Sequence, residues 1–177
     1  MKVRLPSVSG QFYENEKRLL EEQVTNCLPV KRVRRRAKAL LVPHAGLMYS
    51  GNVAGEIYAS LEWTETVLFL GPNHTGEGRP FSVSTADSWR TPLGDVPINQ
   101  KLRKFLLDRL PGLEEDYAAH RREHSLEVQL PFLQMLSKKT KMVPISIGLS
   151  RFGAYKVFGE RLAEAIRAPS GLNATPM

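Results

Sequence analysis

Two short apolar runs limit the folds open to this chain. "ALLVPHAGLMYSG", residues 39 to 51, and "TVLFLGPNHTG", residues 66 to 76, each break at a proline, with a histidine one or two residues further on and a glycine close by. Continuous apolar runs of about 4–8 residues bounded by turn signals are the mark of strands buried on both faces. "SGNVAGEIYASL" between them reads as a helix. The unit is therefore strand over 38–43, helix, strand over 66–72, which predicts a parallel pair with a right-handed crossover.

The remaining pattern continues the alternation. "EKRLLEEQVTNCL" places apolar residues at 19, 20, 24 and 28 and is closed by Pro29, so it predicts a helix. "PFSVSTA" alternates like a strand, "DSWRTPLGDVP" is turn-rich, and "INQKLRKFLLDRL" is helical up to a Pro-Gly stop. "EHSLEVQLPFLQMLS" predicts a further helix, "KMVPISIGLS" a strand and "AYKVFGERLAEAIR" a last helix. The sum is an α/β chain, expected as a three-layer α/β/α sandwich around a mainly parallel or mixed sheet. After Arg167 the sequence "APSGLNATPM" turns polar, so 168–177 is expected as an irregular tail on a single domain spanning 1–177.

Composition narrows the function classes. With 42% apolar residues in 177, the chain can build a core of its own. It has no run of about 18 apolar residues and its start lacks an apolar segment ahead of a small-residue cleavage site. A cytoplasmic protein with no membrane partner is expected. The lone Cys27 cannot form an internal disulfide and is expected as a packed thiol. The net charge of +7 is concentrated in "KRVRRRAK", residues 31 to 38. No aromatics interleave with it, so it reads as a solvated connector, and no nucleic-acid partner is expected.

Histidines at strand ends carry the chemistry. In open α/β sheets ligands bind beyond the carboxyl ends of the strands, and His44 and His74 fall at that edge. On neighbouring strands their imidazoles would share one crevice, which suits iron, copper, nickel or zinc. Either alone is more often a capping or packing residue than a ligand, and two ligands do not complete a site that needs three. Gly46 and Gly71 beside them are expected to permit sharp turns.

The other two histidines allow two readings. "HRREH", residues 120 to 124, matches the inverted zinc-peptidase pattern with Glu123 as base. Alternatively a helix starts near Glu123, His124 faces the strand-end crevice and His120 is an exposed loop residue. In "WRTPLGD", Arg90 and Asp95 are either an ion pair across a turn or a means of neutralising an anionic substrate through Arg90.

These stretches, "LVPHAGLMYSG", "FLGPNHTG", "WRTPLGDV" and "EHSLEVQLPFLQ" in that order, resemble the Memo-like family, known in microbes as protein B of the AmmeMemoRadiSam system. The resemblance runs from about Ser7 to Gly148 and implies a fold similar to class III extradiol dioxygenases. It implies His44 and His74 as metal ligands and His124 as a histidine at the crevice rim, the candidate for a catalytic part. The family's "YSG" is also present as Tyr49, Ser50 and Gly51, and Tyr49 joins Arg90, read above from its charge, as a candidate substrate-facing residue. Iron or copper is the implied metal, with zinc as a further option, and a small molecule or an acidic or phosphorylated peptide the implied ligand. Members of that family continue further, through a Ser-Asp and His segment to a cysteine serving as third ligand. Cys27 does not match that cysteine, so the expectation is a chain incomplete at its C-terminal end.

Overall fold

A computed structural model describes residues 1–31 and 33–167. The expected tail over 168–177 lies outside the described residues. In chain order the elements are β1 (Val3–Arg4), α1 (Lys17–Asn26), α2 (Leu47–Ala59), β2 (Thr66–Pro72), β3 (Phe81–Val83), β4 (Ser88–Thr91) and β5 (Gly94–Pro97). They continue as α3 (Gln100–Arg109), β6 (Glu114–Glu115), α4 (Ala118–Arg121), a 3-10 turn (Glu127–Gln129), α5 (Leu130–Leu136), β7 (Lys141–Ile147) and α6 (Phe152–Arg167).

The four-stranded sheet runs β2-β7-β3-β6. β7 is central because both of its faces are apolar. Met142 joins one core with Phe69 and residues of α1, α2 and α5, while Val143 and Ile145 join another with α3 and α6. That alternation is the period of a pleated strand covered by helices on both sides. The result is a mixed α/β fold of the three-layer α/β/α kind, with β2 and β7 parallel and β3 and β7 antiparallel. Asn99 begins α3 by accepting from the Leu102 backbone N–H at 3.0 Å, and its amide donates to Thr66 Oγ1 at 2.8 Å, which ties the helix start to the start of β2.

Several expectations change. Residues 38–43 form no strand, and Leu41 is 94% exposed. An apolar run becomes a buried strand only where a neighbour pairs its backbone and both faces are covered. Among the described residues nothing does so: β2 pairs with β7, and its other edge has no described partner. The turn-rich stretch "DSWRTPLGDVP" is instead the β4-β5 hairpin, which joins β1 in a second, three-stranded sheet. Its strands had been masked by Pro and Gly at their ends. The helix expected from Glu123 starts later, at the 3-10 turn, because residues 123–126 are held by side-chain contacts described below.

The described residues of the basic segment are exposed, with Arg36 paired to Glu62 at 3.2 Å, as a solvated connector should be. Among the described residues no helix is long and apolar enough to cross a membrane.

Candidate metal centre

Three segments meet beyond the end of β2: residues 43–46 ahead of α2, residues 72–74, and residues 123–125. Each is fixed by hydrogen bonds from neighbouring parts of the fold. Gln129 donates to the Pro43 carbonyl at 3.2 Å and accepts from Tyr58 at 2.9 Å, so the His44 segment is anchored through the core. The Leu47 N–H donates to the Phe12 carbonyl at 2.7 Å, starting α2 just after His44. Ser125 Oγ donates to the Pro72 carbonyl at 2.8 Å, joining the His74 and His124 segments.

The glycines serve close approach rather than turning, since neither has a positive φ. A Cβ on Gly71 would stand 2.5 Å from Leu126 Cδ2 and 2.8 Å from Ser125 Oγ. On Gly46 it would stand 2.5 Å from Met48 Sδ. Neither position has room for a side chain without displacement.

His44, His74 and His124 are thereby gathered: one ring nitrogen from each lies within 4.8 Å of the others. Ring centroids are 5.2 Å apart for His44 and His74, 6.0 Å for His44 and His124, and 4.5 Å for His74 and His124, the last pair stacked. Burial, then the neighbouring His74, lowers the pKa of His44; burial also lowers that of His124. Both are therefore biased toward neutral imidazole, the form that offers a lone pair. Three nitrogen donors in one small volume fit a transition metal, and among the described residues this is the one such cluster of three.

The scaffold behind the cluster is charged and buried. Glu127 accepts from Arg4, from Tyr13 OH at 2.6 Å, and from the Ser7 and Val8 backbone N–H groups at 2.9 and 3.1 Å. Arg4 also donates to the carbonyls of His120 at 2.9 Å and Glu123 at 2.8 Å and lies over the Trp89 ring. The N-terminal strand thus grips the whole 120–127 segment. Sequence reading missed Arg4, Gln129 and Glu127. The available signal was the polar set at Glu123, Ser125, Glu127 and Gln129 within an otherwise apolar stretch.

His120 is a correction. It is not an exposed loop residue but 1% exposed on α4, with Nε2 beside the Ser82 carbonyl at 3.1 Å, and burial lowers its pKa to about 4. The cluster of three does not include it, so "HRREH" does not form the paired-ligand arrangement of a peptidase. Arg90 is likewise taken up by Asp95, bonded through Nε at 2.7 Å and through Nη2 at 3.0 Å, across the hairpin. Tyr49, 85% exposed, lines a cavity of about 920 Å³ that His44 and His124 also border. Phe12, Leu41, Val42, Met48 and Val53 make most of its wall apolar, and Arg90 is not part of it. Cys27 is half-buried, packed under α2, and burial raises its pKa.

A three-layer α/β fold with imidazoles gathered beyond its strand ends defines a class of protein with a candidate metal crevice. More particularly, the chain belongs to the Memo-like family, whose profile, described as "Memo-like protein", matches residues 4–173. It is similar to a MEMO1 family protein of Aquifex aeolicus, 42% identical over 176 residues, covering 97% of this chain and 65% of that one. A MEMO1 family protein of Methanosarcina mazei is 39% identical over 168 residues, covering 94% and 62%. One of Pyrobaculum arsenaticum is 35% identical over 179 residues, covering 94% and 64%. The chain thus spans just under two thirds of the length of these relatives.

Proposed function

We propose that this chain binds a transition metal through His44 and His74, with His124 at the rim of the same crevice, and presents it to a small ligand entering by the apolar cavity. The observation that carries the reading is the convergence of three imidazole nitrogens within 4.8 Å. Iron or copper is the proposed metal, and zinc would be accepted by the same donors. When bound, such an ion supplies Lewis acidity and, for iron or copper, redox capacity suited to oxygenase-like chemistry. The protein's part is to hold the neutral imidazoles, to shelter one side of the crevice with Phe12 and Met48, and to offer His124 as the group facing the ligand.

The alternative of a module for acidic or phosphorylated peptides has weaker support. The cavity wall carries no Arg or Lys among the described residues, and Arg90 is already engaged by Asp95. Anion recognition ordinarily needs such cations.

The test is calorimetric titration with Fe(II), Cu(II) and Zn(II) on the parent and on His44→Ala, His74→Ala and His120→Ala. Binding is expected in the parent and in His120→Ala and is expected to be lost in the other two. Binding that survives both strand-end substitutions would overturn the reading. Loss in His120→Ala with parental unfolding behaviour would instead favour the inverted peptidase arrangement.

A further inference from the structure

Glu123 stands directly behind the imidazole cluster, and its side chain is 1% exposed. Three backbone N–H groups of the site segments donate to it, and its fourth polar contact is to a ring nitrogen of His74. Oε2 accepts from the His74 backbone N–H at 2.5 Å. Oε1 accepts from the backbone N–H groups of His124 and Ser125, each at 2.9 Å, and lies 2.9 Å from His74 Nδ1. His124 Nδ1 is further from the same oxygen, at 3.4 Å. Backbone N–H groups can only donate, so both carboxylate oxygens are engaged as acceptors, and a ring nitrogen 2.9 Å from Oε1 completes the set by carrying the proton.

We propose that Glu123 is a positioning residue, which locks His74 as the tautomer protonated on Nδ1 and so reserves Nε2 as its ligand nitrogen. The inference rests on the metal reading above for its purpose, but its geometry is independent of any ion. A carboxylate behind an imidazole fixes the ring's orientation and raises its basicity, and removing such a partner lowers metal affinity about 10–100-fold. Glu123 is at the same time too saturated by N–H donors to be a general base. It assigns "EHS" the task of orienting a histidine that lies 49 residues earlier in the chain.

The test uses metal-free protein labelled with 15N in histidine, at about pH 8, above the range in which imidazole ordinarily titrates. Long-range proton–nitrogen correlation spectra are recorded for the parent, Glu123→Ala, Glu123→Gln and Glu127→Gln, with His74 identified by its loss in His74→Ala. In the parent, His74 is expected to show Nδ1 protonated and Nε2 bare. Glu123→Ala is expected to release the ring toward the Nε2–H form that free imidazole favours. Glu123→Gln keeps an acceptor oxygen and is expected to retain most of the parental tautomer. Glu127→Gln, which disturbs a buried carboxylate that touches no imidazole, is expected to leave it unchanged. An unchanged His74 pattern in Glu123→Ala overturns the proposal, and so does an equal shift in Glu127→Gln, which would mark general loosening. If Glu123→Ala does not fold, Glu123→Met, of similar length but without an acceptor oxygen, takes its place, and an unchanged His74 pattern there overturns the proposal. In parallel, Zn(II) affinity is expected to fall about 10–100-fold in Glu123→Ala. A parent that binds no metal while its tautomer responds to Glu123→Ala would defeat the metal reading and leave the positioning role standing.

Discussion

Replacing Glu127 by Gln should cost this protein about 3 kcal/mol of stability, near the lower end of what breaking a buried ion pair costs. The carboxylate is fully buried and faces an Arg4 side chain that is 3% exposed. Gln keeps the shape but removes the charge and turns an amide N–H toward donors, so the guanidinium is left buried and uncompensated. The cost stays near the lower end because Arg4 retains its bonds to the His120 and Glu123 carbonyls and its place over Trp89. Urea unfolding followed by circular dichroism should show a lower midpoint with an unchanged slope. The pH dependence gives a second reading of the same group. Burial acts to raise the Glu127 pKa, but Arg4 and the hydrogen bond from Tyr13 outweigh it and hold the value below its ordinary 4.5. A carboxylate lowered on folding contributes stability that is present above its unfolded pKa and is lost as pH falls through its folded value. The parent should therefore lose stability progressively below about pH 4.5, and Glu127→Gln should show a flatter acid limb. The exposed pair Arg18 and Glu22 serves as control, and Arg18→Ala should change little. A Glu127→Gln variant within about 0.5 kcal/mol of the parent, the range of ordinary surface substitutions, would refute the buried-network account.

Leu41→Asp should change stability by less than about 0.5 kcal/mol because Leu41 is 94% exposed, whereas Ile145→Ala in β7 should cost about 2–5 kcal/mol; urea midpoints decide both. Gly71→Ala should cost about 1–3 kcal/mol and weaken metal binding, since the new methyl displaces Leu126 and Ser125; parental values for both quantities would count against the close-approach argument. Cys27, its thiol pKa raised by burial, should react with a thiol reagent at about pH 8 more slowly in the folded chain than in urea, and equal rates would contradict its packing.

The sequence made β7 and the helices over 100–109 and 152–167 legible because each carries its own signal: a dense β-branched run or an apolar stripe at helical spacing. It was least reliable where a partner decides the outcome. "KALLVP" has the composition of a buried strand, yet strands need neighbours, and the described residues supply none. β4 and β5 are short and are joined through Pro92 and Gly94, which read as a turn, and the second neighbour of β4 is β1, far away in the chain. His120 was misplaced because the sequence does not show that α4 precedes the Glu123 turn and buries that ring.

His44 and His74 meet for a reason other than the one the sequence suggested. Neighbouring parallel strands were expected to bring them together, but residues 38–43 do not pair with β2. What joins them is polar: Gln129 holds the Pro43 carbonyl, Ser125 holds the Pro72 carbonyl, and Glu123 holds both the backbone and the ring of His74. All three belong to one segment of seven residues, 123–129, which Arg4 and Glu127 fasten to the N-terminal strand. The spacing between the two histidines is therefore set by a buried hydrogen-bond network rather than by sheet register. Substitutions of Glu123, Ser125 or Gln129, whose side chains make those bonds, should accordingly disturb the imidazole cluster more than substitutions of equal size in 38–41. Comparing the metal affinities of Gln129→Ala and Leu41→Ala would decide it, and a larger loss in the Leu41 variant would return the argument to a strand at that position.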